Sequence, residues 1–160
     1  MKRIVGLIAG VKRVFLIGVG REGLSTRAFA MRLMHLGKEV HWIWDDTTQS
    51  ICKGDLLLAT SGSGEIGHIQ YVVERAKSNG AEVAVITGTP DRRTPQIADC
   101  VLWVPACVYH GKENVVPSVQ PMGNLFEQCV LIAFDIIVMQ LAERLKQSKQ
   151  DMEARHRNVE

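Results

Sequence analysis

An open parallel α/β sheet with helices on both faces is the fold class this sequence predicts, and three observations predict it. Five short apolar runs, Val14–Val19, Glu39–Trp44, Leu56–Thr60, Glu82–Thr87 and Cys100–Val104, alternate with segments of helical periodicity. Several of these runs are continuously apolar, as in parallel strands buried on both sides. Each strand is followed by a crossover, and right-handed crossovers place helices on both faces, giving a three-layer α-β-α sandwich with a five-stranded parallel sheet.

The elements follow in order. Residues 1–12 read as a short helix or lead-in. Ser25–Leu36 carries apolar residues at helical spacing (Leu24, Phe29, Leu33, Leu36), and Gly37 is a natural stop. Glu65–Asn79 is a second helix, with Ile66, Ile69, Val72, Val73 and Ala76 on its buried face and Gly80 at its end. Asp91–Ala98 is a short crossover. Pro105–Pro121 is longer than most connections in a compact domain, which points to function or a subunit contact. Met122–Lys146 is a long apolar helix, buried against the sheet or another subunit, and its Asp135 then needs a partner such as an interface salt bridge. Residues 147–160 form a charged tail. The whole of 1–160 reads as one domain.

Composition excludes several classes. The net charge of +2 is small and unclustered, so it makes no case for nucleic acid. The N-terminal apolar run is short, lacks a cleavage site and is cut by Lys12-Arg13. No stretch reaches the roughly 18 uncharged apolar residues expected of a membrane span. Cys52, Cys100, Cys107 and Cys129 form no CxxC pair and no metal spacing with histidine, so no metal is expected and the thiols read as reduced, in a cytoplasmic protein.

The chemistry centres on Ser61-Gly62-Ser63-Gly64-Glu65, where a strand empties into a Gly/Ser loop that opens a helix. Such a loop brings backbone N–H groups and a helix dipole to an anion, and two hydroxyls add donors. In a plainer reading the serines only cap the helix. Gly18-x-Gly20-x-x-Gly23 closes the first strand. With strand order 2-1-3-4-5 the first and third strands are neighbours, so both glycine turns face one crevice at the C-terminal sheet edge. Taken alone, the first turn also fits a dinucleotide fingerprint, with Asp45 at a ribose. That reading leaves the second loop unexplained and leaves no chain for a substrate domain.

SGSGE after a strand, paired with this turn, resembles the sugar isomerase (SIS) domain, whose sheet has the flavodoxin-like order 2-1-3-4-5. The segments Ala28–Gly37, Thr47-Thr48, Ser61–Glu65, Gln120–Gly123 with Leu125–Glu127, and Ala154–Asn158 are similar to 6-phospho-3-hexuloisomerase. The resemblance implies interconversion of 3-hexulose 6-phosphate and fructose 6-phosphate, with no cofactor. It implies dimers or tetramers that share active sites. It assigns Gly18, Gly20, Ser61 and Ser63 to sugar phosphate binding, and Arg21, Thr47, Gly62, Gly64 and Glu65 are further candidates for the same site. It makes Glu127 the catalytic carboxylate and brings His35 and His156 into a neighbour's site.

Moving a ketone between C3 and C2 needs a base to remove a proton beside the carbonyl and an acid to return one. A carboxylate and an imidazole suit that work near neutral pH. Plainer readings are a Glu127 placed by the helix dipole, a helix-end His35 and a solvated His156. A phosphosugar-binding domain without turnover is the alternative function. The sequence also departs from the family. Glu22 stands where a serine of the phosphate cradle is usual, and a carboxylate there is expected to repel the phosphate unless Arg21 neutralises it. Ile66 and Gly67 replace a hydroxyl residue, DDTTQS replaces an ETTTP-like segment, and an assembly helix of about thirty residues has no counterpart.

Overall fold

A computed structural model of the chain describes residues 1–111 and 115–159. The elements are α1 (Lys2–Gly10), β1 (Arg13–Ile17), α2 (Gly20–His35), β2 (Glu39–Trp42), β3 (Leu56–Thr60), α3 (Gly67–Ser78), β4 (Glu82–Thr87), α4 (Arg93–Gln96), β5 (Cys100–Trp103), α5 (Asn124–Arg144) and α6 (Lys149–Ala154). All strand pairs are parallel, in the order β2-β1-β3-β4-β5. The predicted topology therefore holds, and β1 and β3 pair directly, Val14 against Leu56 through Ile17 against Ala59.

Successive side chains on a strand point to opposite faces, and the two cores follow from that. Val14, Leu16, Leu56, Leu58, Ala84 and Ile86 pack against α1, α2 and α5. Phe15, Ile17, Leu57, Ala59, Val83 and Val85 pack against α3 through Ile69, Val73 and Ala76. Every residue of β3 is buried, which requires an apolar run without alternation. The rings of Phe29 on α2 and Phe134 on α5 stack 4.3 Å apart at 4°. That contact locks the two helices that flank the crevice.

Several boundaries differ from expectation, and the differences matter for the site. Helix α2 begins at Gly20, five residues before the expected start, so Arg21, Glu22 and Gly23 lie in its first turn. Gly23 must be glycine, because a Cβ there would stand 2.8 Å from the Gly18 carbonyl. Helix α3 begins at Gly67, with Ile66 as an N-cap that makes no side-chain bond. Ser61 and Ser63 therefore do not cap it. Of the long connection, residues 105–111 and 115–121 are described, and Ala106 and Val108 are buried in the core.

The charged tail folds into α6, held by a capping box of Ser148 and Asp151, and Arg155 donates to the carbonyl of His35 at the end of α2. Helix α5 is, by length and composition alone, long and apolar enough to cross a membrane. Phe126, Val130, Phe134, Ile137 and Leu141 bury one stripe of it, which makes it a core helix packed on α2 and α1. Asp135 lies on the opposite, exposed side and not in the core.

Candidate active site

The two glycine turns meet as the sheet topology requires. The β1–α2 turn brings the first turn of α2 over the loop Ser61–Gly64, and the first turns of α5 close the third side. Gly62 is the junction. A Cβ on it would lie 3.0 Å from Glu22 Oε2 and 3.2 Å from the Phe126 ring. Its carbonyl accepts from the Thr87 and Thr89 hydroxyls and the Gly88 amide, which fixes the loop from the β4 side. Below it, the Thr26 hydroxyl links α2 to Thr60 at 2.8 Å. Gly64 holds φ at +68° with Arg92 close against it, so a side chain there would be strained.

Within this frame Glu22 does what the sequence did not anticipate. Its Oε2 accepts the Gly62 amide at 2.8 Å. The residue is buried, and its Oε1 finds no partner among the described residues. Burial pushes its carboxyl up to about 7, opposed by the Gly62 bond and assisted by the nearby charge of Glu127. Arg21 does not neutralise it. The Arg21 guanidinium turns instead to Glu127, 3.1 Å away, and to the side-chain oxygen of Asn124. The expected rescue of Glu22 by Arg21 is thus corrected: Arg21 is exposed in the first turn of α2 and meets the N-terminus of α5. Asn124 is the site residue that the sequence reading missed, and nothing in its local pattern marks it.

Glu127 is half-buried in the first turn of α5. Its Oε2 has the Arg21 charge beside it but no aligned hydrogen-bond donor among the described residues. A cavity of about 180 Å³ is lined by Arg21, Ser25, Glu127 and Gln128. A second, of about 420 Å³, lies on the other side of the loop, lined by Ser63, Glu65, Ile66, Tyr109 and His110. His110, exposed on the surface, borders the loop. Ser61 is fully buried with its hydroxyl unpartnered among the described residues, Ser63 Oγ accepts weakly from the Glu65 amide, and Glu65 pairs with Arg92 at 2.8 Å. Thr47 is exposed in the loop after β2. Asp45, the residue a dinucleotide would need, is ion-paired with Arg27 at 3.6 Å.

The two histidines are together, but elsewhere. His35 ends α2, about 21 Å along the helix axis from Arg21 at 1.5 Å per residue. Its buried ring stacks on His156 at 5.3 Å, and both line a cavity of about 240 Å³ with Arg32, Lys149, Met152 and Glu153. Burial first, then Arg32 and His156, holds the His35 imidazole below its usual range, which keeps it neutral and able to exchange a proton. A single chain thus brings Glu127 to the loops and does not bring His35 or His156 to Glu127. Among the described residues no cluster suits a metal ion.

The family model described as the SIS domain matches residues 7–132. A 3-hexulose-6-phosphate isomerase of Mycobacterium gastri is 39% identical over 150 residues, covering 92% of this chain and 74% of that protein. The Bacillus subtilis protein of the same name is 34% identical over 148 residues, 92% of this chain and 80% of that one. A crystal structure from Methanococcus jannaschii, for which a molecular function of 3-hexulose-6-phosphate isomerase has been inferred, superposes with a TM-score of 0.88 at 31% identity. It covers 99% of this chain and 85% of its own.

Proposed function

The chain belongs to the SIS domain family, and from that premise we propose that it is a cofactor-independent isomerase of sugar phosphates, interconverting 3-hexulose 6-phosphate and fructose 6-phosphate. The observation that carries the reading is the Glu127 carboxylate, half-buried at the mouth of the crevice with Arg21 beside it. An ionised carboxylate with an oxygen lacking an aligned donor is a competent base. In this scheme it takes the proton from the hydroxyl-bearing carbon next to the ketone, leaving a 2,3-enediol. The proton then returns to the other carbon, and the carbonyl has moved one place. Ser61, Ser63 and the Gly18–Gly20 turn hold the phosphate end, and Gly62, Gly64, Glu65 and Thr47 shape that end of the crevice. Arg21, paired with Glu127 at 3.1 Å, orients it.

The same reading makes the active unit a homo-dimer or tetramer, in which His35 and His156 complete a neighbour's crevice. The distance of that pair from Glu127 within one chain supports this. Four free thiols support a cytoplasmic location.

Incubating fructose 6-phosphate with the protein in deuterated water tests the reaction. The C3 proton exchanges with solvent in the presence of the wild-type chain, and Glu127→Gln lowers the exchange rate by about 10²-fold or more with unchanged circular dichroism. Full exchange in that variant refutes the role. The position of Glu22 on the Gly62 amide favours one rival, a domain that binds a sugar phosphate without converting it. Thermal stabilisation by fructose 6-phosphate with no exchange at any pH would establish that rival.

A further inference from the structure

We propose that Glu22 is a specificity-determining residue of the crevice: its carboxyl holds the loop amide that a substrate phosphate needs, so the phosphate is accepted by the chain whose Glu22 carries a proton and refused by the chain in which it is ionised. The inference rests on the sugar phosphate reading of Ser61–Glu65 and adds to it a condition set by this chain's own side chain.

The loop's hydrogen bonds lead to it. The Ser61 amide is spent on the Ile86 carbonyl and the Gly64 amide on the Ser61 carbonyl. The Gly62 amide, on the loop that closes against α2 and α5, is taken by Glu22 Oε2 at 2.8 Å. The carboxyl therefore sits as an internal anion on the donor that an external anion would use. Beside it lie two buried oxygens with no partner among the described residues, Glu22 Oε1 and Ser61 Oγ. Buried polar atoms are normally paired. Two such orphans, one on the residue before Gly62 and one on the carboxyl that holds the Gly62 amide, are places for a ligand's atoms.

The charges around Glu22 leave it uncompensated. From α5 it faces Glu127, a like charge. Arg21, its neighbour on α2, is engaged by Glu127 and Asn124. The loop Ser61–Gly64 carries no titratable side chain, and beyond it Glu65 is matched by Arg92. The β1–α2 turn contributes the uncharged Gly18, and α2 itself contributes the neutral Thr26 hydroxyl, which donates to the Glu22 carbonyl. The β4 side contributes the neutral hydroxyls of Thr87 and Thr89. Among the described residues no cation pairs with the carboxyl, and burial raises its titration to about 7.

Protonation changes what the group offers. A carboxylic acid keeps one oxygen as acceptor for Gly62 and presents a donor from the other. A phosphate oxygen accepts that donor. Ionised, the same group meets the phosphate as a like charge in a water-poor site. The ligand it selects is therefore a phosphate end group that arrives on a protonated site, with binding coupled to one proton.

Calorimetric titration with fructose 6-phosphate between about pH 6 and 8.5 tests this in the wild type, Glu22→Gln and Glu22→Ser. Wild-type affinity falls about tenfold per pH unit above neutrality, as loss of one required proton dictates. The phosphate itself gains charge above pH ~6, so both variants hold or increase their affinity over the same range. Glu22→Gln preserves size and an acceptor for Gly62, and far-UV circular dichroism verifies its fold. One common pH profile for all three chains, all binding, overturns the role of Glu22 and leaves the phosphate site standing. No binding by any chain at any pH overturns the phosphate site itself.

Discussion

Glu22 sets a stability cost that can be measured apart from any ligand. Its carboxyl titrates near 7 in the folded chain against 4.5 for an ordinary glutamate, because burial disfavours its charge. The folded state therefore holds this proton to higher pH than the unfolded state does. The contribution of this group is full below pH 4.5, falls as the pH rises toward about 7, and is flat above. At roughly 1.4 kcal/mol per unit this amounts to about 3 kcal/mol. Glutamine cannot ionise and still accepts from Gly62. Urea unfolding should thus find Glu22→Gln more stable than wild type by about 2–3 kcal/mol at pH 8 and nearly equal at pH 4. An equal difference at both pH values would show that the effect is not titration. At this scale the sequence identified the odd residue but not its behaviour. A glutamate in a phosphate turn reads as repulsion, and only the fold reveals that it faces a backbone amide with no cation paired to it among the described residues.

The helices were legible where periodicity ruled and illegible where glycine served a contact. Strands β3 and β4 have the bounds expected from their apolar runs, because full burial demands such runs. Helix α2 starts earlier than its periodicity suggests. Gly20 and Gly23 are poor helix formers, yet Gly23 is required by the approach of Gly18 at 2.8 Å. That early start carries Arg21 and Glu22 into the crevice. Strand β1 begins on a charge because Arg13 pairs with Asp55 at 2.6 Å, a partner 42 residues away that no local pattern discloses. The α2–α5 contact was likewise hidden, and it is open to test. Phe134 is 1% exposed and stacked on Phe29. Phe134→Ala removes the stack and leaves a cavity, at a cost of about 3–5 kcal/mol in denaturant unfolding. The same change lets the N-terminus of α5 shift, so Glu127-dependent exchange should fall in the folded variant as well. Loss of stability under 1 kcal/mol would mean that α5 is held by other contacts.

One face of the molecule has no cover among the described residues. On α5, Ile132, Ile136 and Met139 are 60%, 40% and 71% exposed, and on α2 Leu24 and Met31 are 66% and 45% exposed. Positions 132, 136 and 139 recur at helical spacing, so they form one stripe, and Asp135 lies within it. An exposed apolar stripe of this kind marks an interaction site, and the shared-site reading makes its occupant a second copy of the chain. Asp135 then finds its cation on that copy, which fits the interface role expected of it better than a buried one. Placing a second carboxylate in the stripe discriminates between a packed interface and an open surface. Ile132→Glu should convert a light-scattering mass at a multiple of 17.8 kDa into the 17.8 kDa chain, without change in circular dichroism. If His35 and His156 serve a neighbour, the dissociated chain loses proton exchange on fructose 6-phosphate although its own Glu127 is intact. Mixing it with a Glu127→Gln chain restores none, since the Ile132→Glu chain does not dock and its Glu127 never meets a neighbour's histidines. A wild-type chain that scatters at 17.8 kDa and exchanges at full rate would mean that each chain works alone, and the stripe would need another partner.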